Sequence, residues 1–240
     1  MSHRGHEWFD VAEVEVNSRC NRTCAYCPNA TEGFAGRETR MSDALFKRII
    51  GMLGEIDFSG RLSFHRFNEP LLRKDLAALV AAARRKIPSA FIVIYTNGDL
   101  LSGERYQELI EAGVDNFLVT RHDSDEFPER PFQFVQHPSN FALSGRGGIV
   151  SSSAEPLVLP CYAPSEMMIV RTNGDVVLCH EDARADTVLG SLAHEGLAQV
   201  WFSERALKLR KLLRQGDRFA AGGPCTLCDC RLHPLPGGAI

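Results

Sequence analysis

The chain lacks any run of ~18 apolar residues, so nothing in it reads as a membrane-spanning helix. Its opening, MSHRGHEWFD, lacks the charged-then-apolar layout of a secretory signal, and the expected location is cytoplasmic. Net charge is small. With 27 Lys and Arg against 30 Asp and Glu the chain carries −3, too little for a broad field that would draw it to nucleic acid or to an acidic membrane surface. Internal repeats and low-complexity segments are absent, and 44% hydrophobic with 24% charged residues excludes a disordered or collagen-like chain. At 240 residues it accommodates one large domain, or a domain with a small appendage, at ~100–200 residues each.

What the chain has in excess is cysteine. There are eight, and as disulfides they would need an oxidising compartment to which the N-terminus does not point. Intracellular cysteines in tight spacings are more often metal ligands. They form two sets: Cys20, Cys24 and Cys27 near the start, and Cys161, Cys179, Cys225, Cys228 and Cys230 in the last third. Three plus five suggests two metal centres.

The first half alternates strand-like and helix-like stretches. Val14 and Val16 share one face of a strand over residues 11–18, which breaks into the cysteine-bearing loop NSRCNRTCAYCPN. Ser42 is placed to cap a helix over 43–55. RLSFHRF follows as a short strand, then a helix over 71–87 stopping before Pro88, the buried strand AFIVIYTNG, a helix over 103–112 and a strand over 114–120. Repeated β(αβ) order requires right-handed crossovers and a parallel sheet, either doubly wound or partly closed into a barrel, with functional residues at the carboxyl ends of the strands. From about Asp123 the pattern dissolves into a proline-rich stretch and SGRGGIVSSS, which puts a domain boundary near residue 150. Beyond it MMIVRT, Asn173-Gly174 and DVVLC form a hairpin signal of the type I′ kind. Residues 197–213 read as one amphipathic helix with a solvated basic face.

Three cysteines in C-x3-C-x2-C ligate three irons of a cubane cluster and leave the fourth open to a substrate or cofactor. A zinc loop completed by a nearby His is the competing reading. With an aromatic before the last cysteine (Tyr26), and following the first strand, the motif resembles the signature of the radical S-adenosylmethionine enzymes. In that family the open iron binds the amino and carboxylate groups of S-adenosylmethionine, whose reductive cleavage yields a 5′-deoxyadenosyl radical. The family's Gly-Gly-Glu segment is replaced here by Phe67-Asn68-Glu69-Pro70, which keeps a carboxylate able to pair with the methionine ammonium. Tyr95-Thr96-Asn97-Gly98 matches a later strand-end motif of these barrels.

The last third resembles the auxiliary-cluster modules of the same superfamily, SPASM and its shortened form, twitch. Gly174-x4-Cys179 is that module's hairpin motif, and Cys161, Cys179, Cys225 and Cys228 suffice for one further [4Fe-4S] cluster, leaving Cys230 over. A zinc ribbon from the same four residues is the alternative. Over residues 11–230, including EVNSRCNRTCAYCPN, GRLSFH, EPLL, IYTNGD and SGRGGI, the chain is similar to the radical S-adenosylmethionine dehydrogenases that act on aminocyclitols in aminoglycoside antibiotic biosynthesis. Departures concentrate in residues 126–141 and around His180.

The resemblance implies an α/β fold, a partial (β/α)6 TIM-like barrel over residues 1–150 with a twitch-type cluster domain over 151–240. It implies oxidation of a secondary alcohol on an aminocyclitol or sugar-like molecule to a ketone, with two [4Fe-4S] clusters, S-adenosylmethionine and an external reductant such as flavodoxin or ferredoxin. Tyr26, Asn68, Glu69, Thr96, Asn97, His122 and Ser144 would surround the cofactor, and Arg146, Glu181 and His65 would face the substrate, Arg146 holding the developing alkoxide. Asp182 joins Glu181 as a possible partner of substrate amines or hydroxyls, and Arg66 and Arg121 as partners of a cofactor carboxylate. An epimerase and a modifier of ribosomal peptides remain competing expectations, as does a zinc-bound scaffold without catalysis.

Overall fold

The structure, a computed structural model, describes residues 8–31, 34, 39–123, 127–140, 143–152 and 154–231. Residues 1–7, which carry most of the start on which the signal-peptide reading rests, lie outside them. Among the described residues no helix is long and apolar enough to cross a membrane.

Eight strands form one sheet in the order β5-β4-β3-β2-β1-β6-β7-β8. Strands β1 (Val11–Val14), β2 (Arg61–Ser63), β3 (Phe91–Thr96), β4 (Asn116–Thr120) and β5 (Gln133–Gln136) pair in parallel, each with the next. On the far side of β1, β6 (Met167–Val170) is also parallel, with Val11 opposite Met167, whereas β7 (Asp175–Val177) and β8 (Val188–Ser191) continue antiparallel. The sheet stays open, as a partial barrel requires. Among the described residues, crossover helices follow the first three strands only: α1 (Asp43–Glu55), α2 (Leu76–Lys86) and α3 (Gly103–Ala112).

The local reasons are those in the sequence. Ser42 Oγ accepts from Leu45 N at 3.2 Å and Ser102 Oγ from Arg105 N at 3.1 Å, so α1 and α3 start on N-caps; Gly113 at φ 109° ends α3 in the left-handed form. Apolar faces of all three helices cover the outer side of the strands, where Ala12, Val14, Leu62, Phe64, Ile92, Ile94 and Phe117 form the core. The alternate residues of the same strands, Glu13, Arg61, Tyr95 and Leu118, face the barrel interior and line a cavity.

Three expectations change. The helix expected over 71–87 begins at Leu76, because Pro70–Leu72 is a separate short turn in which Leu71 N is held by Glu69 Oε1 at 3.0 Å. The 167–177 hairpin is not type I′: only Gly174 of the Asn-Gly pair has positive φ, at 91°. Arg171 O accepts from Gly174 N and Arg171 N donates to Asp175 O, which is a three-residue loop ending in a left-handed glycine. The helix expected over 197–213 is two, α5 (Leu197–Trp201) and α6 (Glu204–Arg214), after the short α4 (Ala163–Glu166) and before the short α7 (Arg218–Ala221). Ser203 caps α6, accepting from Ala206 N, which is why the pattern breaks there. Nor is its basic face wholly solvated. Arg210 is buried, donates to Pro164 O at 2.7 Å and Trp201 O at 2.6 Å, and so locks α6 to α4 beside Cys161.

Candidate active site

At the carboxyl ends of β1 to β4 the loops converge on one cavity of about 590 Å³. All seven cysteines expected as ligands line it, together with Tyr26, His65, Asn68, Glu69, Thr96, Asn97, His122, Ser144, Arg146 and Glu181.

The first cysteine loop follows β1 and is tied to its neighbours by charge. Arg22 reaches Asp99 at 2.5 Å and Asp123 at 2.9 Å, while Arg121 joins the same two carboxylates at 3.4 and 2.9 Å. The loop is thus fastened to the ends of β3 and β4, and Arg22 holds both carboxyls below their ordinary range. Arg121 therefore serves this network rather than standing free for a cofactor carboxylate. Tyr26 hydroxyl meets His122 Nδ1, which brings these two expected cofactor neighbours together.

Glu69 is 1% exposed and holds three donors: Oε1 accepts from Thr96 Oγ1 (2.8 Å) and Leu71 N, Oε2 from Asn97 N (2.8 Å). Burial pushes its carboxyl up to about 7 against these three donors. Asn68 braces the same loop, accepting from Arg66 N at 2.7 Å and donating to Asn17 Oδ1 at 3.0 Å. Asn97 reaches back to the cysteine loop, with Nδ2 at 2.8 Å from Asn21 Oδ1 and 3.8 Å from Cys20 Sγ.

Across the cavity, Cys161, Cys179, Cys225 and Cys228 come together from three segments, the last two from a single turn. Burial drives Cys179 well above the ordinary thiol value, helped by repulsion from Cys225, Cys161 and Cys228. The same causes push Cys225 up to about 12. Backbone amides point at sulfur in both groups: Arg22 on Cys20 (3.4 Å), Asn29 on Cys27, Ala163 on Cys161 and Cys230 on Cys228. Buried thiols that repel one another yet receive amide donors fit an iron–sulfur cluster, whose positive iron reverses the cost of ionising them. Cys230, itself buried, meets this group through its amide, in keeping with four ligands rather than five.

Between the two groups lies the SGRGGI segment. Arg146, Gly147 and Gly148 all have positive φ (49°, 62° and 88°), folding the loop onto Glu181 O and Pro224. Arg146 Nη1 donates to Glu181 Oε1 at 2.9 Å and Ser144 Oγ to Oε2 at 2.7 Å, so the three residues form one set. Ser144 therefore shares its stretch of the cavity wall with Arg146 and Glu181.

Asp182 corrects an expectation. It is fully buried and faces its own loop, where Oδ1 accepts from Asp186 N (2.9 Å) and Oδ2 from Thr187 N (3.0 Å). Arg66 likewise is structural, its guanidinium donating to the carbonyls of Asp182 and Ala183. Glu13 and His180 were missed. Val-Ala-Glu-Val-Glu-Val reads as one apolar face and one polar face. β1 is covered on both sides, and the polar face looks into the cavity, a placement that a strand central to a parallel sheet could have signalled.

Comparison with known proteins agrees with this arrangement. Residues 14–140 match the model of the radical SAM superfamily, and residues 161–230 that of an iron-sulfur cluster-binding domain, SPASM. The chain is 37% identical to the S-adenosyl-L-methionine-dependent 2-deoxy-scyllo-inosamine dehydrogenase of Niallia circulans, over 92% of this chain and 91% of that protein. A solved structure, BtrN in complex with AdoMet and 2-DOIA, superposes with a TM-score of 0.88 at 34% identity, covering 95% of this chain and 96% of that one. SuiB of Streptococcus suis bound to its precursor peptide SuiA shares the fold alone, with a TM-score of 0.60 at 11% identity, over 92% of this chain and 71% of that one. The chain belongs to the radical SAM superfamily, with a SPASM-type iron-sulfur cluster-binding domain in its last third.

Proposed function

We propose that the chain oxidises a secondary alcohol of an aminocyclitol to a ketone, in the making of an aminoglycoside-type antibiotic. The observation that carries this reading is the Arg146, Glu181 and Ser144 set, placed between two cysteine groups that open on one cavity. When bound, S-adenosylmethionine and the two [4Fe-4S] clusters supply a 5′-deoxyadenosyl radical to take the carbinol hydrogen and an acceptor for the second electron.

The chain's own residues supply position and charge. Cys20, Cys24 and Cys27 would hold the first cluster; Cys161, Cys179, Cys225 and Cys228 the auxiliary one, with residues 1–150 and 151–240 as the two functional parts. Tyr26, Asn68, Glu69, Thr96, Asn97 and His122 form the wall on the cofactor side, where Glu69 offers its remaining lone pairs to an ammonium. Arg146 holds the carbinol oxygen as its proton passes to water. A guanidinium stays charged in this role, and Glu181 fixes its direction. His65 lines the substrate side. A small electron carrier of the flavodoxin or ferredoxin kind would reduce the enzyme in the cytoplasm.

The test is anaerobic reconstitution to about eight irons per chain, followed by reaction with S-adenosylmethionine, a reductant and 2-deoxy-scyllo-inosamine deuterated at its carbinol positions. Ketone and deuterated 5′-deoxyadenosine in equal amounts are expected. An alcohol of inverted configuration, or no ketone, would overturn the assignment.

A further inference from the structure

A buried cation beside the second cysteine group has no task in the reading above. Arg218 opens α7, is 4% exposed and lines the same cavity as Cys161, Cys225 and Cys228. Its Nε donates to Leu159 O at 2.8 Å, two residues before Cys161. On the other side, Gly222 N donates to Arg218 O at 3.2 Å and Cys225 N to Gly222 O at 3.2 Å, so the turn that carries Cys225 is built on the Arg218 backbone. The residue thus ties together two of the segments that bring the cysteines to one place.

Its guanidinium is anchored through Nε and open at the fork. Among the described residues no carboxylate lies within ion-pair range of it, and neither Nη group has a hydrogen-bond partner. Neither is sealed by packing, so in a side chain this buried both open on the cavity. The other buried arginine of the cavity wall differs. Arg66 donates to the carbonyls of Asp182 and Ala183 and stands 4.0 Å from Glu15.

A buried guanidinium with no carboxylate partner calls for negative charge. A [4Fe-4S] cluster on four thiolates brings it, being dianionic when oxidised and trianionic once reduced. Burial raises the thiols of Cys161, Cys225 and Cys228. Arg218 works against that cost at all three, whereas Glu181 adds to it at Cys161 and Cys228. We propose that Arg218 is the counter-ion of the auxiliary cluster, raising its reduction potential so that it takes the electron the substrate radical gives up on becoming a ketone. The proton of that step goes to water, and the negative charge gained by the cluster is what the guanidinium stabilises. Arg218 acts through the cluster and is a positioning residue for charge. The source of the electron rests on the dehydrogenase reading; the effect on the potential does not.

The test is a redox titration of the reconstituted holoprotein, followed by electron paramagnetic resonance of the reduced clusters. Adding S-adenosylmethionine identifies the first cluster, whose open iron it binds. At an effective dielectric of ~20, a unit charge ~10 Å from a centre shifts its one-electron equilibrium ~10-fold, which is ~59 mV. Arg218→Gln should lower the auxiliary potential by at least that much, leave the first cluster's potential unchanged and reduce the ketone formed per 5′-deoxyadenosine. Arg218→Lys keeps the charge and should restore most of the potential. If Arg218→Gln does not take up about eight irons, Arg218→Met, neutral on a similar stem, takes its place. Loss of the auxiliary cluster in both neutral variants but not in Arg218→Lys also supports the proposal, since charge then separates them. An unchanged auxiliary potential in the neutral variant overturns it, as does an equal fall in Arg218→Lys, an equal fall at both clusters, or loss of the auxiliary cluster in all three. Because the potential is read without turnover, the two readings separate. Ketone formation with an unshifted potential removes the counter-ion alone, and a charge-dependent potential without ketone in the unaltered protein removes the dehydrogenase alone.

Discussion

Adjacent acids of the same charge should behave in opposite ways when removed. Asp182→Ala takes away the side-chain acceptor of two backbone amides, those of Asp186 and Thr187, in a loop where Asp182 is 0% exposed. The buried Thr187 N–H left unpaired costs ~1–3 kcal/mol and the Asp186 N–H, on an exposed residue, ~1 kcal/mol, so the pair costs ~2–4 kcal/mol. Relief from burying the carboxylate, which already pushes the Asp182 carboxyl upward, returns ~1–2 kcal/mol. The net loss is about 2 kcal/mol, or roughly 4–8 °C in melting temperature for a chain of this size. Glu181→Ala frees Arg146 and Ser144, both partly exposed and able to turn to water, and should cost ~1 kcal/mol or less. The assay is an anaerobic melt of the holoprotein followed by circular dichroism and cluster absorbance. Since the loop starts at Cys179, Asp182→Ala should also lower iron content from about eight towards four per chain. A melt within ~2 °C of the unaltered protein, or an equal loss in Glu181→Ala, would refute the assignment of Asp182 to the loop and Glu181 to the cavity.

Other expectations follow from the same geometry. Cys20→Ala should abolish S-adenosylmethionine cleavage, measured as 5′-deoxyadenosine; retained cleavage would contradict the first ligand set. Cys179→Ala should keep some cleavage while ketone formation stops, with iron at about four per chain by analysis of the folded variant. Arg146→Lys keeps the charge but loses the forked grip, and ketone yield per 5′-deoxyadenosine should fall ~10-fold or more. Glu69 receives an ammonium only when ionised, and burial holds it at about 7, so S-adenosylmethionine affinity should rise between pH 6 and 8 and flatten in Glu69→Gln. In cofactor-free protein the sign for stability is reversed: the folded state keeps a proton that the unfolded chain releases above 4.5, so stability falls as pH rises from 4.5 to 7.

Periodicity and caps made β1 to β4 and α1 to α3 legible, because Ser42, Ser102 and Gly113 mark ends by local chemistry that tertiary packing does not override. Strand β5 was hidden. Its QFVQ is short, polar on one face and preceded by Pro128 and Pro131, and it exists because β4 offers an edge with Thr120 opposite Gln136. The cysteine spacing announced two metal centres, and the cavity gathers both sets. Glu13 escaped notice because Val14 and Val16 define only one face of its strand, and the other face gains a purpose only where the loops converge on the cavity. Asp182 was misplaced for the opposite reason: only the return of the chain at Asp186 and Thr187 reveals what its carboxylate caps.

Strand β6 has a practical meaning for anyone who wishes to cut the gene in two. It lies after residue 150 yet pairs with β1 along its whole length, from Val11 opposite Met167 to Val14 opposite Val170. A fragment ending near residue 150 would bare that apolar ladder of unpaired amides and carbonyls, a template for aggregation. The auxiliary module is therefore a poor candidate for deletion or exchange at that point, and a workable graft would carry β6 with the barrel.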